Sequence, residues 1–278
     1  MDYSQILSQQ FNIKEEYAKN IITLLDDGNT IPFIARYRKE MHGSMDDQLI
    51  REFAEKLEYL RGLDKRRDEI RSLIDAQEKL TDEINIALDR AATLSELEDI
   101  YRPYRPKRKT RASIAKEKGL EPLANDILKQ EKGFDPSKSA VDYIDEEKGV
   151  TSVEEAIQGA MDIIAELVSD NAEIRKRIRN LTNANGVLVS VATDEEKDSV
   201  YKNYYDYKEP VKKIAGHRVL AVNRGEKEGF LKVSVETDSE KPLNSIFRAM
   251  ITDKNQLCSD IIREACTDAY QRLIYPSI

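Results

Sequence analysis

The sequence predicts a mainly α-helical protein with a small β hairpin or sheet near residues 187–236. Only 11 of its 278 residues are Gly and 8 are Pro, a smaller share than the roughly 12% of average proteins. Hydrophobic residues recur at steps of three, four or seven over most of the first 185 residues, which is the spacing of amphipathic helices. A β-branched run at 187–191 and an alternating pattern at 230–236 instead predict strands.

These patterns divide the chain into three parts. Residues 1–185 are predicted to form a helical domain, and residues 186–250 a small α+β segment with a β hairpin. Residues 251–278 are predicted to form a C-terminal helix, truncated from a longer parent chain because it ends without a polar tail.

Two short amphipathic helices precede a turn at Asp27-Gly28. Pro32 fits the first turn of a third helix, where its missing N–H has no intrahelical partner, and His42-Gly43 ends that helix. One side of the third helix would carry Arg36, Lys39 and Glu40, and the other Ile34, Tyr37 and Met41.

A long amphipathic helix is expected next, because Ser44 and Asp47 have the spacing of a capping pair. Arg67 interrupts its apolar stripe and predicts a bend, a local exposure or a buried ion pair. The stripe consists of Leu49, Phe53, Leu57, Leu60, Leu63, Ile70 and Ile74.

Capping signals also mark the later helices. Thr81 is expected to cap one helix, and Thr93 with Glu96 and Thr151 with Glu154 repeat the capping spacing. Near the C-terminus, strands at 218–223 and 230–236 joined by 224–229 are predicted to form the hairpin.

Motifs for catalysis are missing from the sequence, which contains neither G-x-x-x-x-G-K-[ST] nor G-x-G-x-x-G. His42 and His217 are predicted to be loop or surface residues, and Cys258 and Cys266 packed thiols on the last helix. We therefore expect no enzyme activity, cofactor, metal or small-molecule substrate. Without a long apolar stretch or a signal peptide, the chain is expected in the cytoplasm with no membrane partner.

A basic run is the strongest positive feature of the sequence. The chain has a net charge of −8, yet residues 102–118 hold eight cations and one acid. Extended cations can follow a phosphate backbone and an interleaved Tyr can stack on a base, so this run predicts nucleic-acid binding. The alternative is a loop whose cations pair with acidic helices of the same chain. The candidate binding residues are Arg102, Tyr104, Arg105, Lys107, Arg108, Lys109 and Arg111.

Two further groups are weaker candidates. Arg36, Arg38 and Lys39 could bind phosphates, or could be surface cations of an amphipathic core helix. The tyrosines of residues 201–207 could form a stacking platform, although packing against the β hairpin is the favoured interpretation.

Three segments resemble the Tex family of bacterial transcription accessory proteins: IPFIARYRKE with HGSMDD at 31–47, LEDIYRPYRPKRKTRASIAKEKGLEPLA at 97–124, and HRVLAVNRGEKEGFLKV at 217–233. The resemblance implies a helical N-terminal region with helix-turn-helix-like elements. In such proteins an RNase H-like domain, helix-hairpin-helix motifs and a C-terminal OB-fold RNA-binding domain follow, and this chain ends before them.

The leading hypothesis is a non-enzymatic, transcription-associated scaffold that binds RNA or DNA weakly and without sequence preference. The alternative is a protein–protein interaction module that docks transcription machinery or the parent's other domains. A hydrolase is a third hypothesis, which the missing motifs oppose.

Overall fold

The computed structural model describes residues 2–106, 108–252 and 254–278. The chain forms two units, Met1–Tyr104 and Arg105–Ile278. The boundary predicted at residues 185–186 therefore falls inside the second unit. None of the helices in the described ranges has an apolar stretch long enough to cross a bilayer.

The described residues of the first unit form helices and no strands. A short 3-10 helix, Arg102–Tyr104, follows the last of them. The helices are α1 Tyr3–Phe11, α2 Glu15–Asp26, α3 Ile31–Tyr37, α4 Lys39–His42, α5 Asp47–Asp75, α6 Asp82–Arg90 and α7 Leu94–Tyr101.

Helix α5 is the 29-residue amphipathic helix that the apolar stripe predicts. Its N-cap is Asp46, whose carboxylate accepts from the Leu49 N–H at 2.8 Å, and not Ser44. The buried stripe starts one residue later than predicted, at Ile50, because Leu49 is 41% exposed.

Arg67 on α5 forms a buried ion pair, which is one of the three outcomes predicted for it. Its side chain pairs with Asp64 and donates to the carbonyls of Leu88 and Ala91, at 2.9 and 3.0 Å. These carbonyls lie at the C-terminal end of α6, where helix carbonyls lack intrahelical partners. Two nitrogens of the guanidinium therefore join α5 to the end of α6, while the third pairs with Asp64 on α5 itself.

The second unit contains the remaining helices and the sheet. Its helices are α8 Arg111–Glu117, α9 Glu121–Lys129, α10 Pro136–Ala140, α11 Val153–Asp170, α12 Ala172–Asn185, α13 Gly216–Lys227, α14 Glu240–Met250 and α15 Gln256–Asp268. The last one continues as a π-helical segment, Ala269–Ile274, and a 3-10 turn, Tyr275–Ser277.

Helix α11 is the centre of the hydrophobic core of the second unit, since it packs against α8, α9 and α15. Gly159 on α11 permits a close approach to α9: a Cβ there would lie 2.3 Å from Leu120 Cδ1. Ser152 caps α11 by accepting from the Glu155 N–H at 3.2 Å, one residue after the predicted pair.

The small sheet is confirmed, but the predicted hairpin is wrong. Strands β1 Val187–Ala192, β2 Asp206–Pro210 and β3 Leu231–Glu236 pair antiparallel in the order β2-β1-β3. Residues 218–223 lie in α13, where Val222 and Gly225 are buried at helical spacing against β3. Burial of this helical face outweighs the strand preference of the β-branched residues.

Candidate nucleic-acid interface

The basic run is divided between the two units. In the first unit, Arg102 and Tyr104 belong to the 3-10 helix after α7. The Tyr104 ring is partly buried against the apolar cluster around Leu88 and Leu97, and its carbonyl accepts from Gln77 at 2.9 Å. Part of this ring is therefore covered by the protein, and its role in binding a base stays a prediction.

In the second unit, the cations of the run differ in their surroundings. Arg108 is exposed and forms no hydrogen bond or ion pair with any described residue. Lys109 Nζ lies 3.2 Å from Glu117 Oε2, and both side chains are well exposed. Arg102 and Arg105 are each engaged by other groups of the protein, and Lys107 lies outside the described residues.

The last two cations of the run, Lys116 and Lys118, also have partners. Lys116 Nζ lies 2.9 Å from a Glu121 carboxylate oxygen, and Lys118 donates to the Gly149 carbonyl at 2.6 Å. The alternative of internal pairing thus holds for part of the basic segment, residues 105–118. Its free charge is smaller than its composition suggests.

Arg111 begins α8, next to a cavity of about 260 Å³ between α8 and α11. Asp162 lines the same cavity, and burial raises the pKa of its carboxyl group. Arg111 and Arg272 oppose that shift because their positive charges favour the carboxylate. The charge of Arg111 is therefore partly balanced by a carboxylate on α11.

The second group of candidate cations, on α3 and α4, has fewer partners than the basic run. Arg36, Arg38 and Lys39 are exposed on α3 and α4, and none of them forms an ion pair with a described residue. Glu40 is the carboxylate next to them in the sequence. These three cations are consequently available to an anionic ligand.

The prediction that Tyr37 lies on the apolar side of the third helix is wrong. Its side chain is 66% exposed, and that of Phe33 is 37% exposed. The two ring centroids are 5.3 Å apart, and the Arg38 guanidinium lies 5.8 Å from the Phe33 centroid. The two aromatic rings and the Arg38 guanidinium thus share one exposed surface, and Arg36 and Lys39 are exposed beside them in the sequence. We call these residues the α3–α4 surface (Phe33, Arg36, Tyr37, Arg38 and Lys39).

Buried contacts hold this surface in place. Ile34 is fully buried between the two exposed rings in sequence. His42, predicted to be a loop or surface residue, is also fully buried at the end of α4, and its Nε2 lies 3.1 Å from the Ile34 carbonyl. That distance indicates an Nε2–H donor. The backbone leaves the helical conformation at Arg38, so α3 and α4 replace the single predicted helix.

Gly43 ends α4 in the left-handed region, with φ at 65°. A Cβ at this position would lie 2.6 Å from a ring carbon of Tyr17. Asn20 on α2 donates to the Met41 carbonyl at 3.1 Å. The end of α4 is therefore fixed against α2, and with it the orientation of the α3–α4 surface.

The tyrosines near the sheet are mostly held by internal contacts. Tyr201 is 5% exposed and its ring centroid is 5.8 Å from that of Phe230. Tyr205 donates to Ser199 at 2.9 Å, and Tyr207 donates to Glu209, which also pairs with Arg218. These contacts favour packing over a stacking role.

The cysteines and histidines show no arrangement for metal chemistry. The residues that the structure describes contain no group of three or more His, Cys, Asp or Glu side chains that could hold a metal ion. Cys258 and Cys266 are buried, as predicted, and burial raises the pKa of the Cys266 thiol to about 12. His217 is exposed on α13.

Comparison with known proteins identifies the family. Residues 1–75 match the Tex-like protein N-terminal domain, and residues 131–276 match the Tex central region-like family. The α3–α4 surface lies in the first match, and the basic run lies between the two.

The chain is similar to several curated proteins. It is 43% identical over 285 residues to the uncharacterized protein YdcI of Bacillus subtilis, covering 100% of this chain and 40% of that protein. It is 39% identical over 238 residues to the transcriptional accessory protein Tex of Neisseria gonorrhoeae, covering 85% and 31%. It is 30% identical over 293 residues to the human S1 RNA-binding domain-containing protein 1, covering 99% and 29%. The chain thus spans at most 40% of the length of these relatives. Since the central-region match alone covers more than half of the sequence, the chain belongs to the Tex family.

Proposed function

We propose that this chain is a non-enzymatic, nucleic-acid-binding part of a transcription accessory factor. The observation that carries the proposal is a set of exposed cations without ion pairs among the described residues: Arg36, Arg38, Lys39 and Arg108. The chain has 52 acidic and 44 basic residues, so carboxylates are plentiful. Cations that remain unpaired in such a chain can neutralise phosphates.

Family membership supports the setting of this activity. Two relatives are named transcriptional accessory protein Tex and S1 RNA-binding domain-containing protein 1. The second name states RNA binding, and the first refers to transcription, a process that acts on nucleic acid. The cytoplasmic location expected from the sequence remains a prediction.

The expected binding is weak, salt-dependent and independent of sequence. Non-specific contacts of this kind give dissociation constants of roughly 10⁻⁴ to 10⁻⁶ M at physiological salt. Fluorescence anisotropy of a labelled oligonucleotide, measured over a range of salt concentrations, gives the affinity and the slope of log K against log salt. Single-stranded RNA and DNA of matched sequence test the two possible ligands.

A charge-matched pair of variants makes this test specific. Changing Arg36, Arg38 and Lys39 to Gln should lower the slope by about 2 on single strands, since each lost phosphate contact contributes about 0.7. The control changes Lys19, Arg51 and Arg224 to Gln, which removes the same charge from cations paired with Glu15, Asp47 and Glu228. Equal effects of the two triple variants, or no binding by the wild-type chain at low salt, would contradict the proposal.

Exposed apolar residues of the second unit support the alternative of protein docking. Val200 is 87% exposed and Leu220 on α13 is 72% exposed. Both lie within residues 187–235, the region in which an exposed apolar patch would favour docking. The docking hypothesis predicts that a pulldown retains a transcription-related protein after nuclease treatment. Val200→Ser with Leu220→Ser should abolish that retention if these residues form the contact.

A further inference from the structure

We propose that Phe33 and Tyr37 form a stacking platform for the bases of a single-stranded nucleic acid. The inference rests on the proposed nucleic-acid binding and adds the form of the ligand and the two residues that contact its bases. It does not depend on the basic segment in the second unit.

The two rings have the geometry that such a platform needs. They lie four residues apart on α3, so they are neighbours on one face of the helix. Their planes are inclined at 40° with centroids 5.3 Å apart, and both rings are exposed. A base that covers either ring would remove apolar surface from water.

Charge at the same surface suits a nucleic acid. The Arg38 guanidinium lies 5.8 Å from the Phe33 ring centroid, and Arg36 and Lys39 are exposed nearby in the sequence. These cations lack ion pairs among the described residues, and the adjacent acid is Glu40 alone. Bases stacked on the rings would therefore place their phosphates close to cations that have no ion-pair partner among the described residues.

A single strand fits this surface better than a duplex. In a duplex the faces of the bases are already stacked, whereas an unpaired base offers a free π-face to an aromatic side chain. Sequence reading in the duplex major groove relies on polar contacts to base edges. The Phe33 ring has no polar atom for such contacts, and the Tyr37 ring offers a single hydroxyl.

An anionic membrane surface is the competing ligand for a basic and aromatic patch. Interfacial helices insert a continuous apolar face. On α3 the neighbouring Ile34 is fully buried and Ile31 is partly buried in the core of the first unit. Besides the two rings, Pro32 is the exposed apolar residue of this helix, so α3 lacks the continuous apolar face that insertion needs. The observations therefore favour the nucleic acid.

The absence of Trp from the sequence permits a site-specific test. The Tyr37→Trp variant carries one Trp, on the platform, and stacking of a base should quench its fluorescence when oligothymidylate binds. Tyr59→Trp is the control: Tyr59 is 41% exposed and lies 4.9 Å from Lys56 Nζ, but it shares its surface groove with Glu52 and Glu55. We expect quenching in the first variant and none in the second.

Leucine variants measure the contribution of the rings. Phe33→Leu and Tyr37→Leu should each weaken binding of oligothymidylate at least about fivefold, and should leave the salt slope unchanged. Phe33→Tyr and Tyr37→Phe keep the rings and should keep the affinity. Circular dichroism of each variant checks that the helices are retained.

The outcomes separate this inference from the proposed function. If the wild-type chain fails to bind any oligonucleotide, the proposed function is wrong and the inference fails with it. If the chain binds but the Trp signal and the leucine variants show no effect, only the platform is wrong. Quenching by vesicles that contain phosphatidylserine, without quenching by oligothymidylate, would also overturn the platform.

Discussion

The α3–α4 surface and the basic segment use their cations differently. The basic segment, residues 105–118, has many cations, but Lys109 and Lys116 lie beside carboxylates and Lys118 donates to a carbonyl. The α3–α4 surface has three cations, and they lack ion pairs among the described residues. The density of cations in a sequence therefore does not measure the positive charge that is available to a ligand.

The physical reason is that a paired cation is already partly neutralised. An exposed ion pair contributes little to stability, yet it places a negative charge a few ångströms from the cation. A phosphate that approaches must compete with that carboxylate. Arg108 has no such partner among the described residues and is the clearest exception in the basic segment.

Removal of the buried His42 side chain, which supports the α3–α4 surface, should have the largest effect, a loss of folding stability. His42→Ala loses the contact with the Ile34 carbonyl and leaves a cavity, so the free energy of unfolding should fall by about 2–4 kcal/mol. Chemical denaturation measures this change. His217→Ala is the matched control at the exposed histidine, and a similar loss there would show that the effect is not due to burial.

Single substitutions in the basic segment should separate unpaired from paired cations. Arg108→Gln should lower the salt slope on single strands by about 0.7, the value for one phosphate contact. Lys109→Gln should lower it less, because Glu117 already competes for Lys109. A larger effect at Lys109 than at Arg108 would contradict the role we assign to pairing.

Removing a competing carboxylate should make a cation of the basic segment behave like the unpaired cations of the α3–α4 surface. Glu117→Gln leaves Lys109 without its partner, so the salt slope should rise by less than about 0.7. The change is read from the same anisotropy titrations. Glu15→Gln, which releases Lys19 in the first unit, controls for the change in net charge, and an equal rise in both variants would argue against a local effect.

Substitution of Asp162 should have the smallest effect, a slight change in the free energy of unfolding. Burial raises the pKa of its carboxyl group, so the charged form is less stable in the folded state. This cost is full above the folded-state pKa and disappears as pH falls through that pKa towards the unfolded value. Asp162→Asn should therefore stabilise the fold at pH 7 by less than about 1 kcal/mol, and the gain should shrink at lower pH. Denaturation of both proteins at several pH values tests this, and a gain that grows on acidification would refute it.

Much of the helical framework can be predicted from the sequence because its signals are local. Thr81 and Thr93 cap their helices as expected. Periodicity predicts the stripe on α5, and Arg67 within it fulfils one of the three predicted outcomes. Two caps differ from the prediction by one or two residues, since Asp46 and Ser152 offer the same chemistry beside the expected residues.

Tertiary packing explains the features that the sequence does not predict. Residues 218–223 have the β-branched composition of a strand but are helical because Val222 and Gly225 pack on β3. His42 is buried because α4 turns back towards Ile34. Tyr37 is exposed at the end of α3, directly before the break at Arg38, and α4 beyond the break is held by a residue distant in sequence, Asn20.

The candidate site was only partly predictable for the same reason. The sequence identifies Arg36, Arg38 and Lys39 as cations, but it does not show which cations find carboxylates. Phe33 was absent from the predicted site, although its spacing of four residues from Tyr37 is a visible signal. The contacts that distinguish Arg108 from Lys109 require the folded chain.

The junction between α5 and α6 restricts which residue can replace Arg67. A lysine would keep the positive charge, but its ammonium lacks the planar fork that reaches one carboxylate and two carbonyls together. Arg67→Lys would leave at least one of these oxygens unsatisfied in a buried position. An exchange that counts as conservative on a substitution matrix is therefore disruptive here, and tolerance of lysine at this position would require a second change at the end of α6.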